Sequence, residues 1–215
     1  MDLLNGLPRV EPAREALGDG AWLLRGFAAA DAPALLHALH AVAAVAPFRH
    51  MMMPGGHRMS VAMTNCGRAG WITDRRGYRY DPIDPETGAP WPAIPPDFLR
   101  LARQAGAAAG FAGFVPDACL LNRYAPGTKL SLHQDRNERD MDAPIVSVSL
   151  GLPAVFLWGG LSRGERPRRV RLESGDVVVW GGPSRLVFHG VDVLADGEHE
   201  QTGRCRFNLT LRKAL

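Results

Sequence analysis

The sequence has few cysteines, few aromatic residues and no long apolar segment. Its three cysteines (Cys66, Cys119 and Cys205) are scattered among 215 residues, so we predict neither a disulfide framework nor a zinc site. No apolar run approaches the roughly 20 residues that span a membrane. The first residues, MDLLNGLPRVEP, lack the basic leader and apolar core of a secretory signal. We therefore expect a cytoplasmic protein with no membrane partner.

The composition is that of an ordinary globular domain, with 46% hydrophobic and 22% charged residues. A chain of this length can bury its own core, so residues 1–215 are predicted to form a single domain. The formal net charge of +3 permits a nucleic-acid partner without demanding one. We expect a monomer with no obligate protein partner.

Helix signals are confined to the first half of the chain. Residues 1–20 are predicted to be a loosely held arm, followed by a strand at 21–27. A helix capped by Asp31 then runs to Pro47, and a second runs from Asp97 to about Ala109. Strands are predicted at 60–65 and 77–80, and after Pro116 at 118–124, 145–150, 154–158, 168–173, 176–180, 185–189 and 204–212.

Short strands at close spacing indicate a mainly β fold, a double-stranded β-helix (jelly roll) with flanking helices. We expect the two helices to support one outer face of a sheet. The chain then divides into an arm, strand and helix (1–47), a segment rich in Gly, Pro, Met, Arg and aromatics (48–96), and a support helix with the core (97–215).

A His-x-Asp pair follows the strand predicted at 118–124. On extended backbone His133 and Asp135 point to the same face. With His189, which follows a strand-like run, they match the 2-His-1-carboxylate triad that holds Fe(II) and leaves coordination positions open. The alternative is a turn-capping pair and a core histidine.

Polar and apolar residues alternate strictly near the C-terminus, so Arg206, Asn208, Thr210 and Arg212 share one face of a strand. Two inward arginines need anions opposite them, because an unpaired buried charge costs several kcal/mol, to order of magnitude. A dicarboxylate ligand would supply those anions. Iron ligands beside such a strand indicate a 2-oxoglutarate-dependent oxygenase.

Arginines interleave with aromatic residues between positions 50 and 80. They are Arg58, Arg68, Arg75, Arg76 and Arg79, with Trp71, Tyr78 and Tyr80. Arginines can follow phosphates and an aromatic face can stack on an extruded base. A solvated basic hairpin with packing aromatics explains the same residues.

The chain resembles the AlkB family of nucleic-acid dealkylating dioxygenases, in its bacterial repair branch. The matching stretches are SVAMTNCG, WPAIP, PDACLLNRYAPGTKLSLHQD, PIVSVSLGLPAVF, GDVVVWGGPSRLVFHG and CRFNLTLR. They occur in order from about Phe48 onward. The resemblance implies a jelly roll in which residues 48–96 form an N-terminal nucleotide-recognition lid.

The resemblance also implies the activity and its cofactors. Fe(II) would be held by the His133, Asp135 and His189 triad, with 2-oxoglutarate and O2 as co-substrates. The residues implied for 2-oxoglutarate are Asn122, Tyr124, Arg206, Asn208 and Arg212. The expected reaction repairs bases of the 1-methyladenine and 3-methylcytosine type in DNA, with RNA as a further candidate and single strands preferred. Its products would be formaldehyde, succinate and CO2.

On the substrate side, the resemblance implies that Trp71 stacks on the damaged base and that Tyr78 touches a backbone phosphate. Met59 and Met63 are expected to be adaptable walls of the pocket or ordinary core residues. The basic run 163–171 is expected to be an exposed turn from which Arg163 would reach the mouth. Asn137 departs from the family, in which an aspartate is expected two residues after the motif aspartate. Asparagine keeps an acceptor but loses an attraction of about 1 kcal/mol for a cationic base.

Glu138 is a candidate to compensate for the charge that Asn137 lacks. Two other functions are weighed against base repair. One is a 2-oxoglutarate-dependent hydroxylase or demethylase of proteins or small molecules. The other is a catalytically inactive, nucleic-acid-binding jelly roll.

Overall fold

A computed structural model describes residues 13–215 of the chain, and residues 1–12 lie outside the described part. The elements in chain order are β1 Arg14–Gly18, β2 Ala21–Leu24, α1 Ala32–Val45, β3 Ala62–Gly67, β4 Gly70–Asp74, β5 Gly77–Asp81, α2 Pro96–Ala108, β6 Ala118–Tyr124, β7 Leu130–His133, β8 Ile145–Gly151, β9 Ala154–Trp158, β10 Arg168–Leu172, β11 Val177–Trp180, a 3-10 turn Gly182–Ser184, β12 His189–Val191 and β13 Arg206–Arg212. Neither helix is long and apolar enough to cross a membrane.

Two antiparallel sheets carry the fold. The larger has seven strands in the order β1-β2-β11-β8-β13-β6-β3, and the smaller has four in the order β10-β9-β12-β7. One apolar cluster draws side chains from both, including Tyr124 and Trp180 of the larger sheet and Phe156 and Val170 of the smaller. The sheets therefore pack face to face, and the predicted double-stranded β-helix is confirmed.

The two-residue period of the central strands explains how each sheet face is used. In β11, Val178 and Trp180 enter the cluster between the sheets, whereas Val177 and Val179 enter a second cluster on the outer face. Leucines of α1 such as Leu35 and residues of α2 complete this outer cluster. The expectation that both helices support one outer sheet face is correct.

Four local expectations differ from the structure. Strand β7, which ends in His133, was not among the predicted strands. The predicted arm contains β1, which extends the large sheet by pairing with β2, while its residues 1–12 lie outside the described part. The connection expected between the strands at 60–65 and 77–80 contains β4, which forms a hairpin with β5. The strand predicted at 185–189 is a turn, and the strand begins at His189.

The first helix also begins differently than predicted. Asp31 precedes α1, but its side chain makes no capping hydrogen bond. Instead its carboxylate accepts a 2.9 Å hydrogen bond from Nη2 of Arg100 in α2, so it links the two helices. The second helix ends as expected before Gly110, whose φ of +93° places it in the left-handed region.

The segment 48–96 is divided between the core and the surface. Its strand β3 is the edge strand of the large sheet, paired with β6. Only the β4–β5 hairpin forms a separate two-stranded sheet. The side chain of Asn65 in β3 binds both backbone polar groups of Trp71 at 3.0 and 3.1 Å, which fixes the start of the hairpin.

Candidate active site

The predicted metal ligands meet at the end of the smaller sheet. His133 ends β7 and His189 begins β12, and the two residues are direct partners in the antiparallel ladder. Nε2 of each imidazole lies 3.7 Å from a carboxylate oxygen of Asp135. One ligand atom from each residue lies within 4.8 Å of the other two, which is close enough for one ion to bridge all three.

Backbone carbonyls fix the orientation of both imidazoles. Nδ1 of His133 lies 2.9 Å from the carbonyl oxygen of Ser131, and Nδ1 of His189 lies 3.0 Å from that of Val187. Because a carbonyl only accepts, Nδ1 must carry the proton in each neutral ring. The lone pair then sits on Nε2, the atom that faces Asp135, and the tautomer suits metal binding.

The protonation states also fit a divalent metal. Burial, reinforced by the nearby His133, lowers the pKa of His189 to about 4, so its imidazole is neutral at neutral pH. Burial alone would raise the pKa of Asp135, but the charge and hydrogen bonds of Arg212 outweigh it and hold that pKa far below its usual range. Nη2 and Nε of Arg212 donate to Oδ2 of Asp135 at 2.7 and 3.0 Å.

Arg206, the other inward arginine of β13, has no carboxylate within ion-pair distance among residues 13–215. Its side chain is 1% exposed, and Nη2 donates to Oγ of Ser149 at 3.0 Å. Within the described part of the chain its Nε and Nη1 atoms have no hydrogen-bond partner, although the ring of Tyr124 lies 4.9 Å from the guanidinium carbon. Burial lowers the pKa of Arg206. Two unmet donors on a buried cation are the arrangement that a carboxylate ligand would complete.

A buried polar ladder holds the strand that carries both arginines. Nδ2 of Asn122 donates to Oδ1 of Asn208 at 3.1 Å, and the hydroxyl of Thr210 donates to the same oxygen at 2.8 Å. Nδ2 of Asn208 in turn donates to Oγ of Ser147 at 2.8 Å. Sequence reasoning missed Ser147 and Ser149, although the alternation of β8 (Ile145–Gly151) places both on one face.

The predicted substrate-side residues gather at the opening. The rings of Trp71 and Tyr78 stack with centroids 5.6 Å apart and an interplanar angle of 22°. Nε1 of Trp71 donates to Oδ1 of Asn137 at 3.3 Å. Arg163 donates to the carbonyl oxygen of Leu132 at 2.7 Å, and Met63 is buried in the wall.

One cavity of about 670 Å³ joins these groups, and it is lined by all the residues implied above for iron, 2-oxoglutarate and the substrate. Of the arginines that interleave with aromatics, Arg58 lines it, whereas Arg68, Arg75, Arg76 and Arg79 do not. The cavity's volume is within the range of ligand pockets in proteins.

His37 and His40 are exposed on α1, as are His50 and His57 in the segment before β3, and none joins the metal triad.

Glu138 does not supply the charge that Asn137 lacks, contrary to expectation. Its carboxylate is buried and does not line the cavity. It is bound by Arg185 at 3.1 Å, Arg212 at 3.4 Å and the hydroxyl of Tyr80 at 2.6 Å. Sequence reasoning missed Arg185, and the one sequence feature that could have indicated its role is that it is a charged residue within the otherwise apolar stretch SRLVF.

A double-stranded β-helix with this triad, beside a buried arginine that lacks an anion, defines an Fe(II) oxygenase that uses a 2-oxo acid. Comparison with known proteins agrees. The model of the 2OG-Fe(II) oxygenase superfamily matches residues 20–212. The chain is 58% identical over 212 residues to the alpha-ketoglutarate-dependent dioxygenase AlkB of Escherichia coli (strain K12), covering 99% of this chain and 98% of that protein.

Two further relatives are informative. The nucleic acid dioxygenase ALKBH1 of Homo sapiens is 38% identical over 137 residues, which are 63% of this chain and 35% of that protein. The solved structure of OsALKBH1 has a TM-score of 0.81 at 30% identity, covering 94% of this chain and 100% of that one. The chain therefore belongs to the 2OG-Fe(II) oxygenase superfamily and, within it, to the AlkB dioxygenases. It is an Fe(II)- and 2-oxoglutarate-dependent enzyme that consumes O2.

Proposed function

We propose that the enzyme carries out oxidative dealkylation repair of bases of the 1-methyladenine and 3-methylcytosine type, in single-stranded DNA and also in RNA. Identity to AlkB dioxygenases over nearly the full length supports this activity. The name of the human relative, a nucleic acid dioxygenase, supports the substrate class. The observation that carries the proposal is a single cavity containing the His-Asp-His triad, the unpaired Arg206 and a stacked aromatic pair.

The iron ligands in this proposal are His133, Asp135 and His189. This assignment is supported by the Nε2 lone pairs of the two imidazoles, whose orientation is fixed, and by the ionised carboxylate of Asp135 that they face. Of the two carboxylate oxygens of Asp135, Arg212 binds only Oδ2, so Oδ1 is not engaged by Arg212 and is free to bind a metal.

The 2-oxoglutarate site extends from the triad along β13. Arg206 would pair with the distal carboxylate, since its Nε and Nη1 are unmet donors in a buried position. Tyr124 and Asn122 lie on the neighbouring strand, opposite Arg206 and Asn208 in the ladder. Arg212 would act near the C1 end of the ligand, beside Asp135.

When bound, Fe(II) with 2-oxoglutarate and O2 supplies the oxidation of an alkyl C–H bond, yielding succinate, CO2 and a hydroxylated alkyl group that leaves the base as formaldehyde. The chain's own contribution is orientation and exclusion of water. The apolar side chains of Trp180 and Phe156 close the cavity behind His189, with ring centroids 4.8 and 6.0 Å from the imidazole.

The aromatic pair at the mouth gives the damaged base a stacking surface. Base–aromatic stacking contributes about 1–3 kcal/mol per base. Trp71 is oriented by its hydrogen bond to Asn137 and by the parallel ring of Tyr78. Met63 would form an adaptable wall of the same pocket.

Unpaired cations around the mouth support a polyanionic partner. Arg58, Lys129, Arg136 and Arg163 line the cavity, and none has a carboxylate within ion-pair distance among residues 13–215. Many other arginines of the described chain do have such partners, so these four charges are available for phosphates. The position of Arg163 above the ring of Phe188 directs it to the mouth.

Single strands are the favoured substrate because the triad lies inside the cavity, and a base must leave its stack to reach it. Extrusion from a duplex costs a few kcal/mol, which an unpaired strand avoids. The cytoplasm is the proposed location, in keeping with three free cysteines in a reducing compartment.

The proposal is tested by formaldehyde release from oligonucleotides carrying 1-methyladenine or 3-methylcytosine. We expect release with the wild-type enzyme, fastest from single-stranded DNA, and none above background with His133→Ala. Retained release in that variant would refute the iron assignment. The control is Arg103→Ala, a change on the exposed side of α2 that is expected to keep full activity.

Succinate formation with other substrates separates the competing functions. Methylated oligonucleotides should stimulate it, whereas peptides and free amino acids should not. Stimulation by peptides alone would favour a protein hydroxylase. Binding of oligonucleotides without any turnover would favour an inactive nucleic-acid-binding protein.

A further inference from the structure

Glu138 is a buried carboxylate that bonds to three separate parts of the fold. Its side chain is 2% exposed. Oε2 accepts from Arg185, which follows the 3-10 turn, at 3.1 Å. Oε1 lies 3.4 Å from Nε of Arg212 in β13 and accepts from the hydroxyl of Tyr80 in β5 at 2.6 Å.

The two arginines bound to Glu138 are the ones that hold Asp135. Arg212 donates twice to Oδ2 of its carboxylate. Arg185 donates from Nη1 to the backbone carbonyl of Asp135 at 2.7 Å, and from Nε to the carbonyl of Ala143 at 3.1 Å. Asp135 is therefore fixed at both its side chain and its backbone, and both arginines depend on one carboxylate.

The β4–β5 hairpin contacts the loop between β7 and β8, which carries Asp135 and Glu138. Trp71 and Tyr80 are directly opposite in the hairpin, so their side chains share a face. Trp71 donates to Asn137, and Tyr80 donates to the next residue, Glu138. The hairpin that carries the stacking aromatics is thus attached to the loop that carries Asp135.

We infer that Glu138 is a positioning residue that holds Asp135 through Arg185 and Arg212 and links it to the β4–β5 hairpin through Tyr80. The inference rests on the proposed role of Asp135 as a metal ligand. With Glu138 present, two arginines face two carboxylates, so the cluster is balanced. Without it, the excess positive charge opposes a dication, and Arg212 competes with the metal for Asp135.

Glu138→Gln tests the charge while preserving the size of the side chain. In anaerobic titrations with Mn(II) in the presence of 2-oxoglutarate, followed by electron paramagnetic resonance, we expect the dissociation constant for Mn(II) to rise about tenfold or more. Arg185→Lys keeps the charge but cannot reach all three acceptors, so it should weaken Mn(II) binding in the same direction.

Asp84→Asn is the matched control, because Asp84 is another buried carboxylate paired with an arginine, Arg49, away from the metal triad. Its affinity for Mn(II) should equal that of the wild type. Wild-type affinity in both Glu138→Gln and Arg185→Lys would overturn the positioning role.

Tyr80→Phe tests the link to the hairpin without altering charge. Hydrogen exchange in residues 70–81 should slow when Mn(II) and 2-oxoglutarate bind to the wild type, and this slowing should be largely lost in Tyr80→Phe. Mn(II) affinity should stay within about twofold of the wild type, since all four charges remain. Unchanged slowing would overturn the link.

His133→Ala distinguishes failure of this inference from failure of the proposed function. If His133→Ala binds Mn(II) as tightly as the wild type, the ligand assignment itself is wrong. If it loses the metal while Glu138→Gln and Arg185→Lys retain it, only the positioning role is wrong.

Discussion

Replacing Arg206 by methionine should change ligand-free stability and 2-oxoglutarate binding in opposite directions. In the ligand-free protein Arg206 is a buried cation whose Nε and Nη1 are unmet, with no carboxylate in ion-pair distance among residues 13–215. Replacing buried ionic groups by apolar side chains of similar volume is often neutral or stabilising, by about 1–4 kcal/mol. For a domain of this size each kcal/mol shifts the unfolding midpoint by roughly 2–4 °C.

The same substitution should weaken the binding of 2-oxoglutarate. Removing one partner of a buried, hydrogen-bonded charge pair costs about 2–5 kcal/mol of binding free energy. At about 1.4 kcal/mol per tenfold, the dissociation constant for 2-oxoglutarate should rise roughly 30-fold to several-thousand-fold. Arg206 would therefore lower the stability of the empty protein in exchange for recognition of the diacid.

Thermal unfolding under anaerobic conditions with Mn(II) measures both effects. Without 2-oxoglutarate, Arg206→Met should unfold at or above the wild-type midpoint. With it, the wild type should gain stability and the variant should not. The control is Arg123→Met, since Arg123 is exposed, beside Tyr124 on the opposite face of the same strand.

Two results would refute this reasoning. One is a ligand-free Arg206→Met protein that is less stable by several kcal/mol, which would mean that the guanidinium is well satisfied without a ligand. The other is full stabilisation of the variant by 2-oxoglutarate, which would place the diacid elsewhere.

Three further predictions concern the substrate side and the buried ion pair of Asp84 with Arg49. Asn137→Asp should favour cationic over neutral alkylated bases by about 1 kcal/mol, or roughly fivefold, in competition assays; unchanged relative rates would show that this position does not discriminate. Trp71→Ala should raise KM for methylated oligonucleotides while leaving substrate-independent succinate formation intact, because it removes about 1–3 kcal/mol of stacking; an unchanged KM would exclude stacking on Trp71. Asp84→Asn should destabilise the fold by about 3 kcal/mol at pH 7. Burial by itself raises the pKa of Asp84, but its bonds to Arg49 outweigh burial and lower that pKa below its ordinary value. The wild-type advantage is therefore full above the unfolded pKa of about 3.9 and is lost progressively as pH falls from that value through the lower folded pKa. In denaturant titrations, the difference in unfolding free energy between wild type and variant should be smaller at pH 3 than at pH 7, and equal differences would contradict the assignment.

Local patterns in the sequence predicted the direction of several site residues, although they did not predict β7, the strand that ends in His133. The alternation of residues 206–212 predicted correctly that Arg206 and Arg212 share the inward face, because side chains on a strand alternate whatever the rest of the fold does. The spacing of His133 and Asp135 likewise predicted a shared direction. The errors at β1 and β4 arose because these short strands, REALG and GWITD, carry no such alternation.

The charge pairing could not be read from the sequence. The alternation alone left both arginines of β13 in need of an anion, and only the resemblance indicated that Arg212 lies near Asp135. In the structure Arg212 pairs with Asp135, which is 77 positions away in the chain, while Arg206 has no carboxylate partner among residues 13–215. Glu138 was expected to compensate for the charge that Asn137 lacks and instead binds Arg185 and Tyr80. Which opposite charges meet depends on how separate strands and turns pack, and spacing along the chain contains no such distance.

The sequence by itself determined the class of chemistry, since only a few residue types can bind iron and a diacid and their strand periods set the direction of each side chain. Tertiary structure alone decided which of these side chains are paired with each other and which are free for a ligand. The physical reason is that direction follows from local backbone geometry, whereas electrostatic partnership requires contact between segments distant in sequence.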